Sequence, residues 1–204
     1  LKGSLDTKFI LFRESNTLFE HLAVLVGDPE NWADPVPIRI HSACLTGDLF
    51  SSLKCDCGEQ LHKSLDYFHQ NKGGVFLYLN QEGRGIGLTN KLRAYRLQDL
   101  GLDTIDADCA LGFQSDERDY NVGMKMLEEL GVSRITILTN NPEKLSWAKS
   151  AGLEVLGRIP LYGEPNEYNL PYVETKIKRA GHFLEEMIKK KEDQPIALMP
   201  DHDS

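Results

Sequence analysis

From Val75 onward, short apolar runs alternate with longer amphipathic segments, and few architectures accommodate that alternation. Val75–Leu79 has the length of a buried strand. Leu88–Leu100 follows with helical spacing and stops at Gly101, and Tyr120–Leu130 does the same and stops at Gly131. Arg134–Leu138 reads as the next buried strand. Asn141-Pro142-Glu143 then opens a helix, with Asn as N-cap and Pro at the first helical position, and that helix closes at Gly152. Glu154–Arg158 is a further strand. Strand–helix–strand order implies parallel pairing under a cover of helices.

The earlier part reads differently. Phe9–Glu14, His21–Val26 and Ile38–Ser42 are strand-like, and Glu59–Asn71 is helical with Leu61, Leu65 and Phe68 on one face. The expected fold is therefore α/β: a parallel or mixed sheet flanked by helices, with a more β-rich N-terminal part. Gly163–Pro171 is polar and turn-rich, so it reads as a loop. Thr175–Lys191 reads as a last helix, its Lys189–Lys191 end solvated and favourable to the helix dipole. One domain is expected over residues 1–191, and a flexible tail over 192–204.

Charge narrows the choice of partners. Asp and Glu outnumber Lys and Arg by 31 to 23, a formal net charge of -8. This argues against a grip on nucleic acid, although a small polyanion remains compatible because local basic groups decide its binding. No apolar stretch approaches a membrane span, and Leu1–Thr7 lacks a signal peptide's apolar core, so a cytoplasmic protein with no membrane partner is expected.

Of the four cysteines, Cys44, Cys55 and Cys57 cluster as C-x10-C-x-C, while Cys109 stands apart and is expected to be a buried thiol without a role. In a reducing compartment such a cluster favours metal or catalysis over disulfides. Three thiolates suit zinc and leave a tetrahedral position for water. His41 or His62 could instead close the shell and make it structural, and the bland reading is three small buried side chains.

Gln81-Glu82-Gly83-Arg84-Gly85-Ile86-Gly87 lies between a strand and a helix, where glycines let backbone N–H groups approach an anion and Arg84 can add a bidentate contact. No Walker A pattern is present. Thr139-Asn140-Asn141 falls at a strand's carboxyl end with Lys144 just beyond, the edge where open α/β sheets bind ligands. Plain helix capping is the preferred reading for Asn141. Asp116-Glu117-Arg118-Asp119 is a charge cluster ahead of a helix, ordinarily a solvated helix start.

In one order along the chain, Arg39–Ser42, Cys44–Asp48, Cys55–Gly58, Gln81–Leu88, Lys91–Tyr95, Leu111–Phe113, Asp116–Asp119 and Leu138–Pro142 resemble the GTP cyclohydrolase II family. The similarity runs from about Phe9 to Leu184. It implies an enzyme that hydrolyses GTP, releasing formate from C8 and pyrophosphate, to give 2,5-diamino-6-(5-phosphoribosylamino)pyrimidin-4-one at the start of riboflavin biosynthesis. It also implies a homodimer, one zinc per chain on Cys44, Cys55 and Cys57, and magnesium with the polyphosphate. Carried onto matching positions, Arg118 attacks the α-phosphorus, Asp116 accepts its proton, and Tyr95 takes part in ring opening. Substrate contacts fall at Arg39, Ile40, His41, Ser42, Ala43, Gln60, Glu82, Gly83, Arg84, Thr104, Thr139 and Lys144. Glu82 is a candidate acceptor for the guanine N1–H and N2–H groups.

One position departs from the family, which carries Glu immediately before the first cysteine where this chain has Ala43. That keeps a second reading open, a diverged relative that stops at GMP or a formamidopyrimidine. A third is a non-catalytic nucleotide-binding module with structural zinc, against which Tyr95, Asp116 and Arg118 argue.

Overall fold

The computed structural model describes residue 3, residues 5–14 and residues 18–184. Six strands form one mixed sheet: β1 (Thr7–Arg13), β2 (Glu20–Val26), β3 (Val36–Ser42), β4 (Gly74–Leu79), β5 (Arg134–Leu138) and β6 (Glu154–Ile159), in the order β1-β2-β4-β3-β5-β6. β1, β2 and β4 pair antiparallel, whereas β4, β3, β5 and β6 run parallel. The β-rich beginning is thus a hairpin added to the edge of a parallel sheet. The helices are α1 (Leu45–Asp48), α2 (Cys57–Gln70), α3 (Gly87–Asp99), α4 (Thr104–Ala110), α5 (Asn121–Glu129), α6 (Pro142–Ser150) and α7 (Leu170–Ala180).

Strand alternation sends neighbouring residues into two cores. Ala23 and Leu25 join Ile38, Ile40, Leu77 and Ile137 under α5 and α6, while Val24 and Val26 join Phe76 and Phe68 under α2. With both faces covered, the central strands read as continuous apolar runs.

β3 is the switch point of the sheet. Its following strand, β4, lies on one side, and the chain then crosses back to place β5 on the other. In open α/β sheets the crevice outside the strands' carboxyl ends at such a point receives ligands. Here those ends lead into Cys44, into Glu82–Gly85 and into Thr139–Asn141.

Asn141 caps α6, its side chain accepting from the Glu143 N–H, with Pro142 opening the helix as its sequence signal predicts. The last helix departs from expectation. It begins at Leu170, with Pro171 in its first turn, inside the segment read as loop, and it ends where Gly181 turns left-handed at φ 60°. The glycine stop outweighs the amphipathic pattern that continues past it. The rest of the expected helix beyond residue 184, and the expected tail, lie outside the described residues. Cys109 is exposed, correcting the buried thiol expected from sequence.

Candidate active site

The end of β3 delivers Cys44, and the start of α2 delivers Cys55 and Cys57. Their sulfurs lie within 4.8 Å of one another, and Cys44 Sγ to Cys55 Sγ is 3.7 Å. Two thiolates on a tetrahedral zinc at the usual bond length stand about 3.8 Å apart, so the donor set suits that ion. His41 does not join it. Its Nε2 bonds the Asp48 carboxylate at 2.9 Å, and His62 is exposed. Asp48 also accepts from the Cys44 backbone N–H at 2.9 Å and from the Tyr78 hydroxyl at 3.0 Å, which anchors the first cysteine's turn. Among the described residues the cluster therefore offers three candidate ligands and no fourth.

Charge at the cluster is arranged around Cys44. Hydrogen bonds from the Cys55 and Cys57 thiols, with Lys91 Nζ at 3.1 Å, hold its thiol far below the usual range against the opposing effect of burial. Cys55, donating to that sulfur, is pushed up to about 11. Lys91 also reaches Glu82 Oε1 at 2.7 Å, and its pKa is raised by Cys44 and Glu82 despite burial. Glu82 accepts further from the Leu45 and Gly83 N–H groups. Its second oxygen keeps a lone pair for another donor, as the guanine pairing would require.

Two cavities meet here. The first is lined by the three cysteines, Ala43, Glu82, Gly83, Lys91, Tyr95, Thr104 and Asp108. The second is lined by Arg39, His41, Gln60, Asp116, Thr139 and Lys144, together with Lys176, Arg179 and His182. Ser42, Cys57, Arg84, Arg118 and Tyr172 line both, so the cavities are two ends of one cleft. Of the residues expected to contact substrate, Ile40 is not brought to either end. Its side chain is fully buried in the core, and only its carbonyl acts locally, accepting from Lys144 Nζ at 2.8 Å.

The second end is cationic and under-satisfied. Arg39 donates to the Leu138 carbonyl at 2.9 Å and to Gln60 at 2.6 Å, yet its Nε is buried without a partner. The same holds for His41 Nδ1 and Ser42 Oγ, whose residues also line this end. Burial lowers Arg39 to about 10, and burial with Arg39 and Arg118 nearby drives Lys144 well below its usual value. Unpaired buried donors and mutually repelling cations call for an anion. Arg118 is different, for Asp116 grips its Nε at 2.8 Å and also its Nη2. Burial opposes the charge, but Tyr120 and Asp116 raise the guanidinium pKa further. Within the acidic segment, Asp116 and Arg118 thus form a part-buried ion pair in the cleft, while Glu117 and Asp119 are exposed as a solvated helix start would have them.

Arg84 holds a left-handed conformation at φ 59°, uncommon for a residue with a side chain. Its Nη1 lies 3.4 Å from Asp108. Burial pushes Asp108 up to about 6, Arg84 opposing and Asp116 assisting.

Sequence reasoning missed Lys91, Asp108, Tyr172, Lys176, Arg179 and His182. Lys91 lies within a quoted motif, and Tyr172, Lys176 and Arg179 recur at helical spacing of four and three, a signal hidden by reading their first turn as loop.

A mixed α/β sheet with a three-thiol centre and a cationic pocket sharing one cleft defines a class of ligand-handling protein. A family model described as GTP cyclohydrolase II matches residues 3–160. A Haemophilus influenzae protein named GTP cyclohydrolase-2 is 50% identical over 177 residues, covering 87% of this chain and 82% of that one. Its namesake from Actinobacillus succinogenes is also 50% identical over 177 residues, 87% of this chain and 81% of its own. The riboflavin biosynthesis protein RibBA of Phocaeicola vulgatus is 48% identical over 177 residues, and there the match covers 87% of this chain but only 44% of the relative. The chain belongs to the GTP cyclohydrolase II family. Among the described residues no helix is long and apolar enough to cross a membrane.

Proposed function

We propose that this protein hydrolyses GTP, releasing formate from C8 of the purine and pyrophosphate from the 5′ end, and so feeds riboflavin synthesis. The observation that carries the reading is the shared cleft: a thiol-lined end and a cationic end joined through Ser42, Cys57, Arg84, Arg118 and Tyr172. Such a cleft suits a ligand with a ring to be attacked at one end and several phosphates at the other.

Cys44, Cys55 and Cys57 would hold zinc, which when bound acidifies water so that a nucleophile is available near neutral pH. Tyr95 stands at this end, its hydroxyl 3.4 Å from Thr46 Oγ1, and burial raises its pKa. It is thus a protonated hydroxyl placed to give a proton to a ring nitrogen as the ring opens. Glu82 would orient the guanine edge, with Lys91 Nζ holding its Oε1 in place at 2.7 Å.

At the other end Arg39, Lys144 and Arg84 would bind the phosphates, and magnesium would neutralise part of their charge. Arg118 acts at the α-phosphorus. Its attack would form a P–N bond as the α–β P–O bond breaks and pyrophosphate leaves, with the guanidinium proton passing to Asp116, 2.8 Å from Nε, and water would then cleave the P–N bond to restore Arg118. Until that transfer the pair holds the guanidinium charged, and a charged Arg118 would act instead by stabilising charge at the α-phosphate.

A second reading rests on Ala43, which lines the thiol-lined end where the family's Glu would add a carboxylate. On that reading the reaction stops at GMP or a formamidopyrimidine. One experiment separates the two: incubation with GTP, zinc and magnesium, with formate, pyrophosphate and pyrimidine product quantified. Equal release of formate and pyrophosphate is expected. Pyrophosphate without formate would establish the second reading, and tight binding without turnover would leave a nucleotide-binding module.

A further inference from the structure

α7 lies beyond residues 3–160, the stretch matched by the family model, yet its inner face forms part of the cleft. Tyr172 stands where the two ends meet, and Lys176 and Arg179 line the cationic end. Lys176 Nζ donates to Asp56 Oδ1 at 2.7 Å, both side chains being buried, and lies 4.2 Å from the centre of the Tyr172 ring. Asp56 is the residue between Cys55 and Cys57. Its other oxygen accepts from Gln60 Nε2 at 2.6 Å, and Gln60 Oε1 accepts from Arg39 at 2.6 Å. One polar chain therefore runs from α7 through the metal-binding turn to the anion end. Arg179 pins the same helix to Asp103 and Asp106 at the start of α4, at 2.5 and 2.7 Å.

We propose that Lys176 is a positioning residue: its buried ion pair with Asp56 seats α7 on the cleft and fixes the Cys55–Cys57 turn, so that metal retention depends on a helix that supplies no ligand. A carboxylate stripped of its only ammonium in a buried site is strongly unfavourable, whereas removing both charges together is far better tolerated. Without Lys176, the buried Asp56 carboxylate loses its ion-pair partner and must shift toward water, which displaces the two cysteines beside it. The Tyr172 ring loses its cation at the same time and with it a fixed place between the two ends.

The proposal rests on the proposed metal site, but its test needs no GTP. Zinc-loaded protein is mixed with excess chelator, and release is followed for the wild type, Lys176→Met, Lys176→Arg and the double variant Asp56→Asn/Lys176→Met. Lys176→Met should release zinc about 10–100-fold faster, the usual effect of losing a partner just outside a metal's ligands. Lys176→Arg should fall between it and the wild type, and the double variant should recover most of the loss. Wild-type release kinetics in Lys176→Met with native circular dichroism overturns the proposal, as does a double variant at least as leaky as the single one. If Lys176→Met does not fold, a folded double variant with near-wild-type retention supports it, and a leaky one overturns it. A wild type that takes up no zinc overturns both the proposal and the metal site. A chain with the expected release pattern that leaves GTP intact overturns only the function proposed above.

Discussion

Few side chains in the cleft carry as much electrostatic load as His182. Its imidazole is part-buried on the cationic end, and burial, then Lys176, Lys144 and Arg118, hold its pKa at about 3 against an ordinary 6.5. The folded chain therefore keeps His182 neutral where the unfolded chain takes up a proton. Stability from this residue is complete above the unfolded value and is lost as pH falls from about 6.5 toward 3. We expect the urea midpoint to drop between pH 7 and pH 5, and to drop less in His182→Gln. Equal slopes for the two proteins would show that His182 ionises freely. Asp116 has the ordinary carboxylate sign: burial opposes its charge, Arg118 more than offsets it, and its contribution is lost only under more acidic conditions.

At the scale of elements, the three-cysteine turn depends on how closely α1 approaches α2. A Cβ at Gly58 would sit 2.3 Å from the Gly47 carbonyl oxygen, and one at Gly47 would sit 2.8 Å from Cys55 Sγ. At Gly58 the atom met is backbone, so nothing flexible can yield there, whereas at Gly47 the thiol side chain would have to shift. Gly58→Ala should cost about 1–3 kcal/mol, the usual range for overpacking, and should lower zinc content by separating Cys44 from Cys55 and Cys57. Wild-type urea midpoint and zinc content together would refute this. The elements themselves were unevenly legible in the sequence. α6 was plain because Asn141 and Pro142 carry specific start signals, and the buried strands were plain because they are apolar on both faces. α4 was missed, since Thr-Ile-Asp-Ala-Asp-Cys-Ala is short and weakly helical, and the Asp103 cap that satisfies the Ile105 and Asp106 N–H groups was its one signal. α7 is hard to place from sequence because its polar entry resembles a loop and the amphipathic pattern continues past its stop at Gly181. The cysteines and the Glu82–Arg84 turn could be found from spacing. The Asp56–Lys176 pair could not, because 120 residues separate its members and only the folded sheet brings them together.

For the whole molecule, the homodimer implied by family resemblance is a proposal, and light scattering should return twice the chain mass; a monomeric value would reject it. The arrangement of the cleft allows a sharper expectation. Cys44 lines only the thiol-lined end, and Lys144 lines only the cationic one. If ring opening and pyrophosphate release are served by different ends, each should fail separately. Cys44→Ser should lose formate release and still liberate pyrophosphate, leaving GMP. Lys144 sits buried among like charges with no ion pair to a carboxylate among the described residues, so its natural partner is a bound anion. Losing a charged hydrogen bond of roughly 1.5–3 kcal/mol predicts a KM for GTP raised about 10–150-fold in Lys144→Ala, at unchanged zinc content. Because that variant removes a repelling cation as well, its thermal stability without ligand should hold or rise. Product analysis by mass spectrometry, with KM and zinc content measured on the same preparations, tests all of these together. A folded Cys44→Ser protein that releases no pyrophosphate would show that the two ends act as a single centre. Wild-type KM in Lys144→Ala would instead remove the phosphates from this end of the cleft.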